Sequence, residues 1–341
     1  MAWMRSAAIL LVLTAIPACE RAAARASTPP DPAAAAPVSR AMLGEGGLAI
    51  SGRDALDRLF EAPEVTAAGQ RLLDRLGDDP SLAPLYAGFI QSLMQQPALL
   101  QALLTIADED PGASIESLSA QVGERLSEAI DGPEFDAALD ASLDHLLDRP
   151  DVDAAFERLA EATIERGRFT DKLAALLVQW QNELEDVVGV PMGDERFEAR
   201  FEAHLADSGR QAALEDLLSE RVADDPGIRE ALAALIEDEA VFVACATLVT
   251  DVISSESFVS DTTDVFAGMI VGIDAEELER RVDRVLVTPA TEQAVIAWLE
   301  RIMAAPSFGR LADGLGALLD DPNVQAELYG VLLGTPKGSA A

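Results

Sequence analysis

The chain has 341 residues, of which 49% are apolar, and this is enough to bury a sizeable core in one large or two medium domains. Sixty acidic and 25 basic residues give a formal net charge of −35, which repels phosphate backbones and excludes nucleic acid as a partner. Only two cysteines are present, so a disulfide framework is excluded and core packing must supply the stability.

The N-terminus has the composition of a secretory signal sequence. Arg5 supplies a positive charge, residues 6–16 form a mostly apolar run, and small residues follow. The apolar run is too short to cross a bilayer as a stable helix. We therefore predict a signal peptide over residues 1–18 that is removed from the mature protein.

The next feature is the sequence Ile16-Pro17-Ala18-Cys19. It resembles the lipobox of bacterial lipoproteins, in which an aliphatic residue and two small residues precede a cysteine, although Ala or Ser is more usual than Pro17. The resemblance implies diacylglyceryl transfer to the Cys19 thiol and cleavage before it. Two or three acyl chains, such as palmitate, then anchor the protein stably to a membrane. The alternative is a secreted protein cleaved near Ala18 or within Ala22 to Ala24, with an incidental thiol.

The residues after Cys19 bear on location. In bacterial lipoproteins, Asp directly after the cysteine is the usual signal for retention in the inner membrane, and this chain has Glu20. The resemblance therefore favours the outer membrane over the inner one, with the body in the periplasm. Residues 19–47 are rich in Ala and Pro, which predicts a lipidated cysteine followed by a linker that holds the body away from the bilayer.

Prolines punctuate the body of the chain. A spacing of seventeen residues recurs at Pro63, Pro80 and Pro97, at Pro133 and Pro150, and at Pro289 and Pro306. Proline is favoured in the first turn of a helix, and a preceding Asp or Thr is typical of an N-cap. We predict that each proline starts a helix, with caps at Asp79, Asp110, Asp225, Thr288 and Asp321.

Apolar spacing between the prolines is helical. In residues 80–97 it follows offsets of three and four, which predicts one buried stripe. The stripe comprises Leu82, Leu85, Tyr86, Phe89, Ile90, Leu93 and Met94. Residues 63–80 and 133–150 share nine identities in eighteen, which predicts a duplicated helical unit. The start and stop rules of helices produce a similar rhythm without duplication.

These patterns together predict the fold class. No segment shows period-two alternation with β-branched enrichment. We predict an all-α protein of about sixteen short, proline-started helices in an α-solenoid-like array or an irregular orthogonal helical bundle. The most apolar stretches, residues 240–253 and 258–273, are predicted as central core helices. Both are too short between charges to cross a membrane.

A domain division follows from the least regular segment, GVPMGD at residues 189–194, which is a predicted hinge. It separates a helical lobe at 48–188 from a second helical lobe at 195–333. The Gly, Ser and Ala residues at 334–341 predict a disordered tail.

No catalytic or nucleotide-binding motif occurs in the sequence. His145 and His204 are too few for a three-histidine metal site, and HExxH is absent. The acidic cluster at 183–186 is interpreted as a solvated helix face, and Cys245 as a small buried hydrophobe. We therefore predict no cofactor, no metal and no enzymatic activity.

The leading functional hypothesis is a lipid-anchored protein of the bacterial cell envelope. It would act as an acidic helical scaffold or protein-interaction module whose concave acidic surface binds another envelope protein. The alternative is a carrier or sensor of an apolar ligand such as a lipid, with the helices around residues 240–273 as pocket walls. An enzyme is the third hypothesis, and the sequence leaves the oligomeric state open.

Overall fold

A computed structural model describes residues 58–109, 112 and 114–334, so the predicted signal peptide, Cys19, the linker and residues 335–341 lie outside it. Besides the helical residues 58–61, the described residues form seventeen longer α-helices and no β-strand, which confirms the all-α class. In chain order the helices are α1 (Pro63–Asp78), α2 (Ala83–Met94), α3 (Pro97–Glu109), α4 (Ile115–Ile130), α5 (Pro133–Leu147), α6 (Pro150–Gly167), α7 (Phe169–Gln179), α8 (Gln181–Val188), α9 (Phe197–Leu205), α10 (Ser208–Leu218), α11 (Pro226–Ile236), α12 (Glu239–Ile253), α13 (Glu256–Val271), α14 (Ala275–Leu286), α15 (Pro289–Ala304), α16 (Pro306–Ala317) and α17 (Pro322–Leu333).

Proline is the first residue of eight of these helices, so most of the proline prediction is confirmed. It is wrong at Pro80, which lies in the turn before α2. The Asp79 carboxylate accepts a hydrogen bond from the Ser81 backbone N–H at 2.7 Å and so closes a local turn there. Helix α2 begins only at Ala83, with Pro84 in its first turn.

Side-chain caps hold several helix starts, and the cap at Asp225 is one that the sequence predicted. The Asp225 carboxylate accepts from the Ile228 N–H at 2.9 Å, and the Asp274 carboxylate accepts from the Glu277 N–H at 2.8 Å. The Glu277 carboxylate does not return to the cap as in a capping box, because it binds Arg281 at 2.8 Å. Two further predicted caps are present at Thr288 and Asp321.

Residues 169–188 form two helices, α7 and α8, and not one continuous helix. The break is at Trp180, whose φ of −97° and ψ of 5° leave the helical region. Its buried indole packs edge-on against Tyr329, with ring centroids 4.7 Å apart. The helix therefore breaks at the residue whose side chain packs against Tyr329. Helix α8 then ends at Gly189, which caps it in the left-handed conformation at φ 73°.

The helices group into two compact units that interleave along the chain. The first unit contains Leu73–Val152 and Phe242–Leu299, and the second contains Asp153–Val241 with the described residues before Leu73 and after Leu299. Neither unit corresponds to a predicted lobe, and residues 189–194 lie within the second unit. The grouping arises because helices distant in sequence pack together, as α5 does with α14 and α3 with α13.

Helix α13 forms the centre of the first unit. Toward α3, its Ala267 and Ile270 pack in a cluster with Leu99 and Ile106. Elsewhere on α13, Val265 and Met269 pack in a second cluster, which joins Ala138, Leu139, Leu278 and Val282. In the described part of the chain, no single helix has the length and hydropathy to span a membrane. Only α12 and α13 taken together do, across a bend of 77°.

The second unit has its own core. Phe197 and Phe201 are fully buried there and stack with ring centroids 5.9 Å apart. Asp238 links two helix starts, because its carboxylate accepts from the Ala240 N–H of α12 at 2.9 Å and from the Ser307 N–H of α16 at 3.0 Å. Hydrogen bonding from the Ser307 hydroxyl is the main cause that holds the pKa of Asp238 below its usual value.

Candidate functional site

The most unusual surface of the first unit is the helical hairpin of α2 and α3, which two residues join, Gln95 and Gln96. Residues 80–107, which we call the uncharged hairpin, contain no Asp, Glu, Lys, Arg or His. In the whole chain, 25% of residues are charged. The polar groups that remain on the hairpin are hydroxyls and amides, so any partner meets a neutral surface.

Both helices of the hairpin expose large apolar side chains. On α2, Ile90 is 60% exposed and Met94 is 48% exposed. On α3, Leu100 is 45% exposed and Leu104 is 65% exposed. Members of each pair lie four residues apart, which places them on one face of their helix. Exposed apolar groups that cluster on one element are typical of an interaction surface.

The predicted buried stripe of α2 is therefore wrong at Ile90 and Met94. Leu82 and Leu93 are buried as predicted, and Phe89 is partly buried against the core around α13. Seven apolar positions at these offsets cover more of the helix circumference than one contact with α13 can bury. The surplus apolar residues consequently remain at the surface.

An open cleft of about 620 Å³ lies beside the hairpin. Leu85, Phe89 and Ser92 of α2 line one wall, and Ile253, Glu256 and Val259 line the other. Phe89 approaches Phe258 with ring centroids 6.0 Å apart and planes tilted by 32°. Only Glu256 among the lining residues carries a formal charge. The cleft is a groove with apolar patches, hydroxyls and one carboxylate.

Basic residues are missing from both segments that build this groove. No Lys, Arg or His occurs in residues 76–124 or in residues 230–279. The first segment supplies α2 and α3, and the second supplies α12 and α13. Sequence reasoning missed this surface because it followed apolar periodicity alone. The absence of basic residues from both segments was a signal in the sequence. Only the fold shows that the two segments meet.

The two histidines lie in different units. His145 is exposed on α5 in the first unit. His204 lies on α9 in the second unit, with its Nε2 2.8 Å from the Leu332 carbonyl oxygen. Across residues 58–109, 112 and 114–334, no group of three or more His, Cys, Asp or Glu residues could hold a metal ion.

Cys245 and the acidic cluster at 183–186 form contacts within the fold. Cys245 is partly buried, and its Sγ accepts a hydrogen bond from Trp298 Nε1 at 3.4 Å. Burial raises the pKa of the Cys245 thiol, which keeps it protonated and poorly nucleophilic. In the acidic cluster at 183–186, the Glu185 carboxylate accepts from the Met192 N–H at 2.9 Å and so fastens the loop after α8.

One buried ionisable cluster lies between the starts of α6 and α15. Glu292 is only 6% exposed and forms an ion pair with the Arg149 guanidinium. A hydrogen bond with Asp151 is the main cause that raises the pKa of Glu292, and burial adds to it, whereas Arg149 acts in the opposite direction. Local sequence patterns could not reveal this cluster, because Glu292 is far along the chain from Arg149 and Asp151. It joins two helices and does not line the cleft.

The uncharged hairpin and its cleft are therefore the candidate site. The cleft lining offers apolar contacts, neutral hydrogen-bonding groups and the Glu256 carboxylate, which are groups suited to binding. Comparisons with models of protein families, with curated proteins and with solved structures found no match to this chain.

Proposed function

We propose that this protein is a lipid-anchored component of the bacterial cell envelope that acts as an acidic helical scaffold, or protein-interaction module. It binds another envelope protein through the uncharged hairpin. The supporting observation is the exposure of Ile90, Met94, Leu100 and Leu104 in a chain of net charge −35. Burial of such side chains contributes roughly 25 cal/mol per Å² of apolar area, so a partner that covers them gains affinity.

The anchor in this proposal is Cys19. Its support is the resemblance of Ile16-Pro17-Ala18-Cys19 to a lipobox, directly after a run with the composition of a signal sequence. Acyl chains on the cysteine contribute roughly 0.8 kcal/mol per buried methylene, so two or three chains hold the protein at a bilayer. The outer membrane is favoured because Glu20, and not Asp, follows the cysteine.

Substitution of the predicted anchor tests the location. We expect Cys19→Ser to move the protein from the detergent phase to the aqueous phase in a phase-partition experiment, since the acyl chains are lost. The matched control is Cys245→Ser, which removes the other cysteine and should leave the protein in the detergent phase. Persistence of the Cys19→Ser protein in the detergent phase would show that another feature anchors it.

A carrier of apolar ligands is the second candidate, because the cleft has a volume of about 620 Å³ and one wall at Ile253 to Ser260. This volume is within the range of ligand pockets, roughly 300–1,000 Å³. The interaction module is favoured because the cleft is open and contains a carboxylate, Glu256. An acyl chain in such a groove would remain partly in contact with water.

Cross-linking in living cells separates these two functions. A photo-reactive residue in place of Leu104 should give one dominant protein adduct, whereas the same residue at Val178, an exposed position on α7, should not give that adduct. The adducts are identified by mass spectrometry after purification under denaturing conditions. A scatter of abundant neighbours would contradict the interaction module, and a lipid adduct would favour the carrier.

A further inference from the structure

The exposed apolar face of the uncharged hairpin is suited to a second copy of this chain. We propose that two copies pair through their hairpins about a two-fold axis, in a weak and reversible dimer that covers this face until the envelope protein binds. This inference rests on the proposed function, because it concerns the regulation of the same site. It follows from the clustering of the apolar side chains, the charge of the chain and the size of the face.

Large exposed apolar side chains are concentrated on the hairpin. The described residues contain nine of them, and four lie within residues 90–104. Ile90 and Met94 belong to the last five residues of α2, and Leu100 and Leu104 belong to the first eight residues of α3. Only two residues join these helices, so chain connectivity keeps the four side chains near one another at this end of the hairpin. Such a patch gains free energy when a partner covers it.

The apolar patch is separate from the cleft. Successive residues of an α-helix are rotated by about 100°, so Ser92 and Met94 lie on opposite flanks of the buried Leu93. Ser92 lines the cleft, and Ile90 lies on the same flank as Met94. None of the four exposed apolar residues lines the cleft, and its lining contains no residue of α3. A second copy of the chain therefore covers the patch and leaves the cleft open.

Charge favours a second copy over a partner of opposite sign. In a symmetric dimer the same surface of each copy meets its own counterpart, so acidic surfaces of a chain of net charge −35 repel each other. Residues 80–107 are the longest run in the chain without a charged residue. Two hairpins therefore face each other without opposing carboxylates. A cationic partner is attracted instead to acidic surfaces, such as the exposed stripe of Asp136, Asp140 and Asp144 on α5.

The size of the face indicates a weak dimer. Stable protein interfaces bury roughly 800 Å² on each partner and involve about 20–30 residues a side. Fifteen of the 28 residues of the uncharged hairpin are exposed, which is fewer than a stable interface uses. The exposed neighbours of the patch are small or neutral, such as Ala87, Gln91 and Gln101, so two hairpins can pack at ordinary interhelical distances. We therefore expect a dimer that exchanges with the monomer.

Sedimentation velocity of the full chain carrying Cys19→Ser measures the self-association without acyl chains. We expect the sedimentation coefficient to rise from the monomer value toward the dimer value, with a dissociation constant of about 10–100 µM. Raising NaCl from about 20 mM to about 150 mM should tighten the dimer about threefold, because screening weakens the repulsion between two acidic chains. A chain that stays monomeric up to about 500 µM, or a dimer that salt weakens, would overturn the proposal.

Opposite charges at one position test the surface of the dimer. Leu104→Glu and Leu104→Lys should each weaken self-association by about tenfold, since each places like charges on the two facing patches. An equimolar mixture of the two variants should restore the dimer, because the substituted positions then attract each other. The same two substitutions at Val178, which is exposed in the second unit, should leave the dimer unchanged. Circular dichroism should show unchanged helix content in all four variants. A dimer that the Leu104 variants do not weaken would overturn the proposal.

Cross-linking separates the dimer from the proposed function. In the purified chain, a photo-reactive residue at Leu104 should give an adduct of twice the mass of the chain, and the same residue at Val178 should not. If the purified chain stays monomeric while Leu104 cross-links to one dominant envelope protein in cells, the dimer is wrong and the interaction module stands. If the dominant adduct in cells is a second copy of this chain, the dimer stands and the envelope partner is wrong.

Discussion

Gly316→Ala is expected to destabilise the protein by about 4 kcal/mol. Helix α16 and the end of α6 meet backbone to backbone in the second unit. A Cβ on Gly316 would overlap the Gly167 carbonyl oxygen, and a Cβ on Gly167 would lie 2.6 Å from the Ala312 carbonyl oxygen. Neither backbone can yield easily, because α16 also packs against α11.

The matched control lies in the same helix. At Gly314 the nearest atom to an added Cβ is Cγ1 of Ile228 at 3.9 Å, which is ordinary contact. Gly314→Ala should therefore stabilise by about 0.5–1 kcal/mol, since Ala favours the helical conformation over Gly. Urea unfolding followed by circular dichroism measures both variants. A similar effect of the two substitutions would show that helix propensity, and not the close approach of α6, governs these positions.

Local rules made part of the fold predictable. Asp225 and Asp321 cap helices as predicted, because a cap depends on three or four consecutive residues. Pairings across the chain could not be read in this way. The contact of Gly167 with Gly316 and the interleaving of the two units depend on which helices meet, and local periodicity carries no information about that.

The candidate site was only partly predictable for the same reason. Helical spacing placed Ile90 and Met94 correctly on an apolar face of α2, but exposure depends on how much of that face α13 covers. The second wall of the cleft, from Ile253 to Ser260, spans the junction of the two predicted core stretches, 240–253 and 258–273, and its contact with α2 depends on tertiary packing. The predicted lipidation of Cys19 depends on chemistry outside the described residues, and it stays a prediction.

Arg149→Met is the second substitution with a large expected effect, a loss of about 3 kcal/mol at pH 7. Arg149 donates to the Val287 carbonyl at 2.8 Å and pairs with the buried Glu292 carboxylate. Met keeps much of the aliphatic volume but leaves Glu292 without its cation. A buried carboxylate that loses its partner pays the desolvation penalty of its charge, unless it takes up a proton.

The pH dependence of this destabilisation tests whether the unpaired Glu292 carboxylate causes it. The pKa of Glu292 is raised from 4.5, so the folded state holds the proton more tightly than the unfolded state. Its contribution to stability is fully present below about pH 4.5 and is lost as pH rises through the raised pKa. Arg149 lowers the pKa of Glu292, so removing Arg149 raises that pKa further. More stability is then lost between pH 4.5 and pH 7. The destabilisation by Arg149→Met should therefore be small near pH 4.5 and should grow toward pH 7.

A double variant separates the two bonds of Arg149. Arg149→Met/Glu292→Gln lacks the buried charge but still lacks the hydrogen bond to Val287, so it should recover about 2 kcal/mol of the loss at pH 7. Urea unfolding at pH 4.5 and pH 7 measures the wild type, the single variant and the double variant. If the single variant loses the same stability at both pH values and the double variant recovers none, the bond to Val287 accounts for the effect. Recovery at pH 7 alone would assign the loss to the ionised Glu292, because only this charge distinguishes the two variants.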